Sequence, residues 1–172
     1  IVAFLINILY NVVDRIYIGH IPGDSSLPLT GVGICLPIMT LISAFSSFAG
    51  SGGAPLAAIE LGKSEKDSSA LDRAKQILSN AFIMLCFFAI ALTTIFYVGK
   101  ETFLMWFGAS SETLPFANDY LSIYLIGTFF VQLSIGLNPF ITAQGKAKTA
   151  MVSMMIGAIL NIILDPIFIF KL

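Results

Sequence analysis

The sequence has little charge and few of the side chains that usually perform catalysis or bind metals. Only 11% of its 172 residues are charged, against roughly a quarter in a soluble domain, and 57% are apolar. This composition argues against a soluble globular fold, a disordered chain and a collagen-like chain. The net charge of −1 provides no basic surface for nucleic acid, so no nucleic-acid partner is expected.

The scarce reactive side chains exclude several further classes of site. The single histidine, His20, cannot form a histidine cluster for zinc, so no metal site is expected. Cys35 and Cys86 lie far apart in apolar stretches without CxxC spacing, and both are predicted to be buried, inert thiols. The run at 62–64 reads GKS, but a phosphate-binding loop requires glycine where this sequence has Ala57.

Long apolar segments are the main feature of the sequence. Five of them come close to the ~20 residues that a helix needs to cross a bilayer. The alternation of apolar and polar residues that is typical of barrel strands is absent. We therefore predict an all-α, polytopic membrane protein with five transmembrane helices. The predicted spans cover about 1–18, 29–61, 74–98, 114–140 and 150–170. Because the sequence begins at Ile1 inside an apolar run, we expect a fragment of a longer protein.

Basic residues are concentrated in alternate loops. The stretches 62–75 and 143–149 hold six lysines and arginines, whereas the opposite side holds only Lys100 and Lys171. Because cytoplasmic loops carry an excess of lysine and arginine, both stretches are predicted to be cytoplasmic. The expected location is the plasma membrane, as a multi-pass protein of the bacterial inner membrane, with the lipid bilayer as its surroundings.

Small residues recur along the second segment. They form two rows with helical spacing: Ser46, Gly50, Ala54, Ala58 and Gly62, and beside them Ala49, Gly53 and Ala57. Rows of this kind allow helix backbones to approach closely, so tight helix packing is predicted here. Pro55 lies in the same stretch and removes a backbone donor, which predicts a kink or hinge.

Two carboxylates lie inside predicted spans, where insertion scales assign an aspartate a cost of about 2.5–3.5 kcal/mol at the helix centre. Asp14 comes five residues before Gly19, and Asp165 comes six residues before Lys171. Both segments run outward from the cytoplasm, so each aspartate lies roughly 8–9 Å below the outer end of its helix. The sequence therefore predicts two carboxylates in one layer, where they could bind a proton or a small cation.

Other polar residues align with these two aspartates. Asn7 and Asn11 share a helix face with Asp14, and Gly157 and Asn161 share a face with Asp165. Tyr10 precedes Asp14 by one turn, and Tyr120 lies at a similar depth in the fourth segment. Pro166 leaves the carbonyl of Ile162 without its helical donor, which adds an acceptor. The structural alternative is that Asp14 forms an ion pair with Arg15, or that Asp165 lies near the membrane interface.

The stretches around these residues resemble the multidrug and toxic compound extrusion (MATE) transporters. LYNVVDRIYIGHIPG at 9–23 resembles the family's first helix, and GAILNIILDPIFIF at 157–170 resembles its fifth. GVGICLPI (31–38), FGASSETLPFANDYL (107–121) and NPFITAQGKAKTAM (138–151) match the family in the same order. The resemblance covers essentially the whole chain, and the aspartate in helix one is most similar to that of the bacterial branch.

The resemblance implies a transporter of twelve helices in two six-helix lobes. This chain, 1–172, would hold helices one to five of the N-terminal lobe, with helix six and the C-terminal lobe of the same protein as its partners. The implied activity is antiport of an organic cation or amphipathic drug against H⁺ or Na⁺. No cofactor other than this coupling ion is expected, and no enzymatic activity.

The family's cation site implies roles for residues of this sequence. Coupling to the cation is implied for Asp14, Asp165 and Asn161. A place in the substrate cavity is implied for Tyr10, Asn7, Tyr120 and Asn138.

Three other functions remain open from the residues. A lipid-linked saccharide flippase of the same superfamily would carry a more basic cavity, whereas only Arg15 lies within a span here. An intramembrane aspartyl protease would carry GxGD at its second aspartate, whereas Asp165 follows Leu164. A purely structural membrane subunit would tolerate neutralisation of both aspartates with no effect except on stability.

Overall fold

The computed structural model describes residues 12–13, 16 and 26–171, the stretch 161–171 by its backbone alone. Five helices account for nearly all of the range from 26 onward. They are α1 (Ser26–Lys63), α2 (Ser68–Val98), α3 (Lys100–Trp106), α4 (Leu114–Ala143) and α5 (Ala147–Lys171). No strand occurs in the described ranges, and the prediction of an all-α fold is confirmed. The first predicted span, 1–18, lies outside the described residues except at positions 12, 13 and 16, which are helical.

Three of these helices, α1, α2 and α4, are long and apolar enough to cross a membrane. α5 is apolar over Ala147–Leu160, where its side chains are described. The outer face of α2 exposes large apolar side chains, among them Ile83, Phe87 and Ile90, each about two-thirds exposed. A soluble monomer rarely exposes so continuous an apolar surface, which is typical of helices that face lipid or further helices in a membrane.

The start of α2 differs from its predicted position. The polarity of the 62–73 stretch placed the beginning of this span at about 74, but the helix begins at Ser68. Asp67 adopts an extended backbone conformation, and its carboxylate accepts a hydrogen bond from the Ser69 amide at 2.9 Å. This N-cap satisfies a backbone donor of the first turn, so the helix extends through polar residues that hydropathy assigns to a loop.

α1 and α4 lie side by side and run in the same direction. Contacts join Gly31 to Ala117, Ser46 to Gln132, and Gly50 to Gly136. The two members of each pair are 86 positions apart, so the register of the helices is constant over about five turns. The small residues of α1 provide this contact, since Ser46, Ala49, Gly50, Ala54 and Ala57 are all buried. α1 continues through Pro55 to Lys63.

The core has two parts along the bundle axis. Towards the α3 end, Ile38 and Ile42 of α1 pack with Leu121 and Leu125 of α4 and with residues of α2 and α3. Towards the other end, Ala54, Ala57, Ala81 and Phe140 form a second cluster. Cys35 is fully buried in the first cluster, as predicted, whereas Cys86 is only half-buried.

Candidate functional site

The structure describes the side chains of two of the seven predicted site residues, Tyr120 and Asn138. Asn7, Tyr10 and Asp14 lie outside the described residues. Asn161 and Asp165 are described only as part of the α5 backbone.

Tyr120 lies in the second turn of α4 and is half-buried. It packs against the cluster that contains Cys35, Ile38 and Leu121. Its position at the α3 end of the bundle corresponds to the outer side of the membrane in the orientation that the loop charges predict.

Asn138 lies close to the other end of α4. Its Nδ2 donates to the carbonyl oxygen of Ala150 at 3.1 Å and to Oγ of Ser153 at 3.3 Å. The side chain therefore joins α4 to the first two turns of α5. Tyr120 and Asn138 are 18 positions apart on one helix, or about 27 Å at 1.5 Å per residue, so the structure does not bring them together.

The contact at Asn138 fixes the register of α5 against α4. The two helices are antiparallel, and Ala150 and Ser153 lie at the level of Asn138. Because both helices rise by the same distance per residue, the backbone at 161–165 lies at the level of about 123–130 of α4. Asp165 is therefore much closer in depth to Tyr120 than to Asn138, and Asn161 lies about midway between the two.

A buried polar pair that the sequence reasoning missed joins the middle of α1 to the middle of α4. Ser46 and Gln132 are both 0% exposed. Ser46 donates to Oε1 of Gln132 at 2.5 Å, and Nε2 of Gln132 donates to the carbonyl oxygen of Ile42 at 3.2 Å. The available signal was Gln132 itself, an amide in the centre of an apolar span, where polar side chains require partners.

The end of the bundle that carries the 64–67 and 144–146 turns, here called the basic end, has a network of ion pairs. Glu60 contacts Lys63 at 2.6 Å and Arg73 at 2.7 Å, and Arg73 also contacts Asp67 at 2.9 Å. The hydrogen bond from the Ser69 hydroxyl, followed by that from Arg73, lowers the pKa of Asp67 from 3.8 to about 2. The network ties the end of α1 to the start of α2.

Long apolar helices with exposed apolar faces, joined by buried polar contacts, define a polytopic helical membrane protein. The chain belongs to the MatE family, whose family model matches residues 1–167. The predicted resemblance to the MATE transporters is therefore confirmed.

Two relatives are described as multidrug export protein MepA. The protein of Staphylococcus haemolyticus is 31% identical over 171 residues, which is 99% of this chain. The protein of Staphylococcus aureus strain MRSA252 is 25% identical over 169 residues, which is 98% of this chain. In both comparisons the chain spans 36% of the length of the relative. These relatives are named as export proteins and not as enzymes.

Solved structures of MATE transporters share the fold. An outward-facing multidrug resistance MATE family transporter of the MOP superfamily superposes with a TM-score of 0.86 at 26% identity, covering 98% of this chain and 36% of the other. An inward-facing MATE family transporter superposes with a TM-score of 0.83 at 27% identity, covering 95% of this chain and 35% of the other.

Proposed function

We propose that the protein is a secondary multidrug antiporter that exports organic cations or amphipathic drugs in exchange for H⁺ or Na⁺. The observation that carries this proposal is the match of the MatE family model to residues 1–167, a range that includes both membrane aspartates. Relatives that match 98–99% of the chain are named multidrug export proteins, which supports drugs as the substrate class.

The proposed cation site consists of Asp14, Asp165 and Asn161. Tyr10, Asn7 and Tyr120 line the substrate cavity beside it. The register of α5 supports this grouping, because it brings the backbone at Asp165 to within about two turns of the depth of Tyr120, with Asn161 about one turn further in. Asn138, which hydrogen-bonds Ala150 and Ser153, contributes at the opposite end by holding α5 against α4.

Exchange follows if the coupling cation and the drug use the same carboxylates. Desolvated acids in a membrane cavity require a positive partner, which is either the cation or a cationic drug. Binding of one then weakens binding of the other, and this coupling is equal in both directions. Export of the drug and import of the cation are thereby linked without any covalent chemistry.

Alternating access then arises from movement of the helical bundle as a unit. The chain superposes about equally well on an outward-facing and an inward-facing transporter, with TM-scores of 0.86 and 0.83. This similarity supports rigid-body rocking of one lobe against another. The relatives extend well beyond the matched 36% of their length, and we assign a sixth helix and a C-terminal lobe to that remainder.

The proposed orientation places the basic end in the cytoplasm of a bacterial cell. Lys63, Lys66, Arg73, Lys75, Lys146 and Lys148 all lie at this end. The excess of positive charge on one side of the membrane supports the assignment.

Efflux of ethidium, an organic cation, from energised cells tests the proposal. Cells that express the full-length protein with Asp14→Asn or Asp165→Asn are expected to lose most of their efflux. Asp119→Asn, which removes an exposed carboxylate of α4, is the matched control and is expected to retain efflux. Wild-type efflux by both site variants would remove the mechanism.

A further inference from the structure

A small cavity lies between α1, α2 and α4 at the basic end of the bundle. Its volume is about 210 Å³. Most of its lining is apolar, and Lys75 and Gln144 are its polar residues. The larger apolar side chains of the lining come from all three helices and are Leu61, Leu71, Leu78 and Phe140.

The depth of the cavity corresponds to the boundary between lipid headgroups and acyl chains. Gln144 caps the end of α4, and Lys75 lies seven residues into α2, or about 10 Å from its first residue. Leu78 lies ten residues into α2, or about 15 Å from its first residue at 1.5 Å per residue. Gln144 therefore lies at the helix ends, whereas Lys75 lies about two turns and Leu78 about three turns deeper. The Lys75 side chain extends back towards the helix start, where it contacts Asp72.

The charges around the mouth favour an anion. Lys146 and Lys148 follow Gln144 directly, no acidic residue occurs at 143–160, and the described residues give neither lysine an ion pair. On the other side, Lys75 contacts Asp72 at 3.1 Å, with both side chains more than 60% exposed. An exposed pair of this kind is weak, so an incoming phosphate can compete with Asp72 for Lys75.

Two of the three other nearby acids are held in ion pairs. Glu60 contacts both Lys63 and Arg73, and Asp67 contacts Arg73. Glu65 lies in the 64–67 turn beside Lys66. The uncompensated charge on the α4–α5 side of the cavity is therefore positive.

We propose that this cavity binds an acyl chain of an anionic phospholipid of the cytoplasmic leaflet, with its phosphate on Lys75. Basic pockets between transmembrane helices on the cytoplasmic side are typical sites for anionic headgroups. The inference uses the orientation proposed above but not drug transport, so the two proposals fail separately.

Native mass spectrometry of the purified full-length protein tests the site. The protein is released from membranes that contain phosphatidylglycerol and phosphatidylcholine in equal amounts, and the retained lipids are counted. We expect phosphatidylglycerol to be retained selectively. Lys75→Gln is expected to weaken its binding about fivefold, since a lysine near the surface contributes about this factor with anionic lipid. Lys75→Arg is expected to restore binding.

Lys66→Gln is the matched control, because it makes the same charge change at the same end of the bundle but away from the cavity. If Lys66→Gln weakened phosphatidylglycerol binding as much as Lys75→Gln, the effect would be one of diffuse charge and the proposal would be overturned. Equal retention of the two lipids by the wild type would also overturn it. A photo-crosslinking amino acid in place of the half-exposed Leu71 identifies the occupant directly. Crosslinks to lipid support the proposal, and crosslinks to another stretch of polypeptide contradict it.

Discussion

At the scale of single residues, Ser46 and Gln132 form a hydrogen-bonded pair between two otherwise apolar helices. Both side chains are fully buried, and the amide also reaches the carbonyl oxygen of Ile42. Lipid offers no competing partner inside the membrane, so a shift of α4 along α1 would leave the Gln132 amide without these hydrogen bonds. The pair therefore fixes the register that brings Gly50 against Gly136.

Ser46→Ala is expected to destabilise the protein by about 0.6 kcal/mol, the average for interhelical hydrogen bonds in membranes, and by no more than about 1.7 kcal/mol. The substitution removes the donor to Gln132 and creates only a small change in volume. Reversible unfolding in mixed micelles measures the effect. Ser47→Ala is the matched control, since Ser47 is the exposed neighbour on the same helix. Equal stability of the two variants would show that the pair contributes nothing.

Asp67 is expected to stabilise the start of α2 in a pH-dependent manner. Because its folded-state pKa of about 2 lies below the ordinary 3.8, its contribution is present above pH 3.8 and is lost as the pH falls towards 2. Asp67→Ala is expected to lower the thermal midpoint at neutral pH. Asp67→Asn is expected to retain the cap and to lose the acid dependence. An identical acid dependence in Asp67→Asn would assign the effect to another group.

At the scale of helices, Gly50 of α1 is the described glycine whose added Cβ atom would come closest to a backbone atom of another helix, and that helix is α4. A Cβ atom on Gly50 would lie 2.7 Å from the carbonyl oxygen of Gly136 and 3.0 Å from Cγ of Pro139. The carbonyl belongs to the backbone and cannot rotate away. An added methyl group would therefore force the two helices apart.

Gly50→Ala is expected to destabilise the protein by about 1–3 kcal/mol, the usual cost of overpacking. Gly52→Ala on the same helix is the matched control, since its Cβ would meet nothing within 4 Å. Because alanine also has the higher helix propensity, the control is expected to be neutral or slightly stabilising. Unfolding in mixed micelles distinguishes the two, and a neutral Gly50→Ala would contradict the close approach.

The sequence predicted the type of the helices and the small-residue contact, but not all of their ends or polar pairs. Apolar run length identifies a spanning helix because the bilayer sets its length. The length of the apolar run places the start of α2 too late. The Asp67 cap is a local hydrogen bond, which hydropathy does not measure. The hydropathy pattern also does not predict the pairing of Ser46 with Gln132, because residues 86 positions apart become neighbours only when the helices pack.

At the scale of the whole molecule, α1, α2 and α4 form a unit that is joined at several levels. The ion pairs of Glu60 and Arg73 join α1 to α2 at the basic end, and the Ser46–Gln132 pair joins α1 to α4 in the middle. α5 is attached to α4 through Asn138. A bundle connected in this way is suited to move as a body, which is what alternating access requires.

The central claim is that Asp14 and Asp165 serve both the coupling cation and the drug. Ethidium binding to the purified full-length protein, measured across pH and Na⁺ concentration, tests it most directly. The account predicts that the wild type binds ethidium more weakly as protons or Na⁺ are added, because the cation and the dye compete. It predicts that the Asp14→Asn, Asp165→Asn double variant loses this dependence. A double variant with wild-type affinity and wild-type ion dependence would contradict the account.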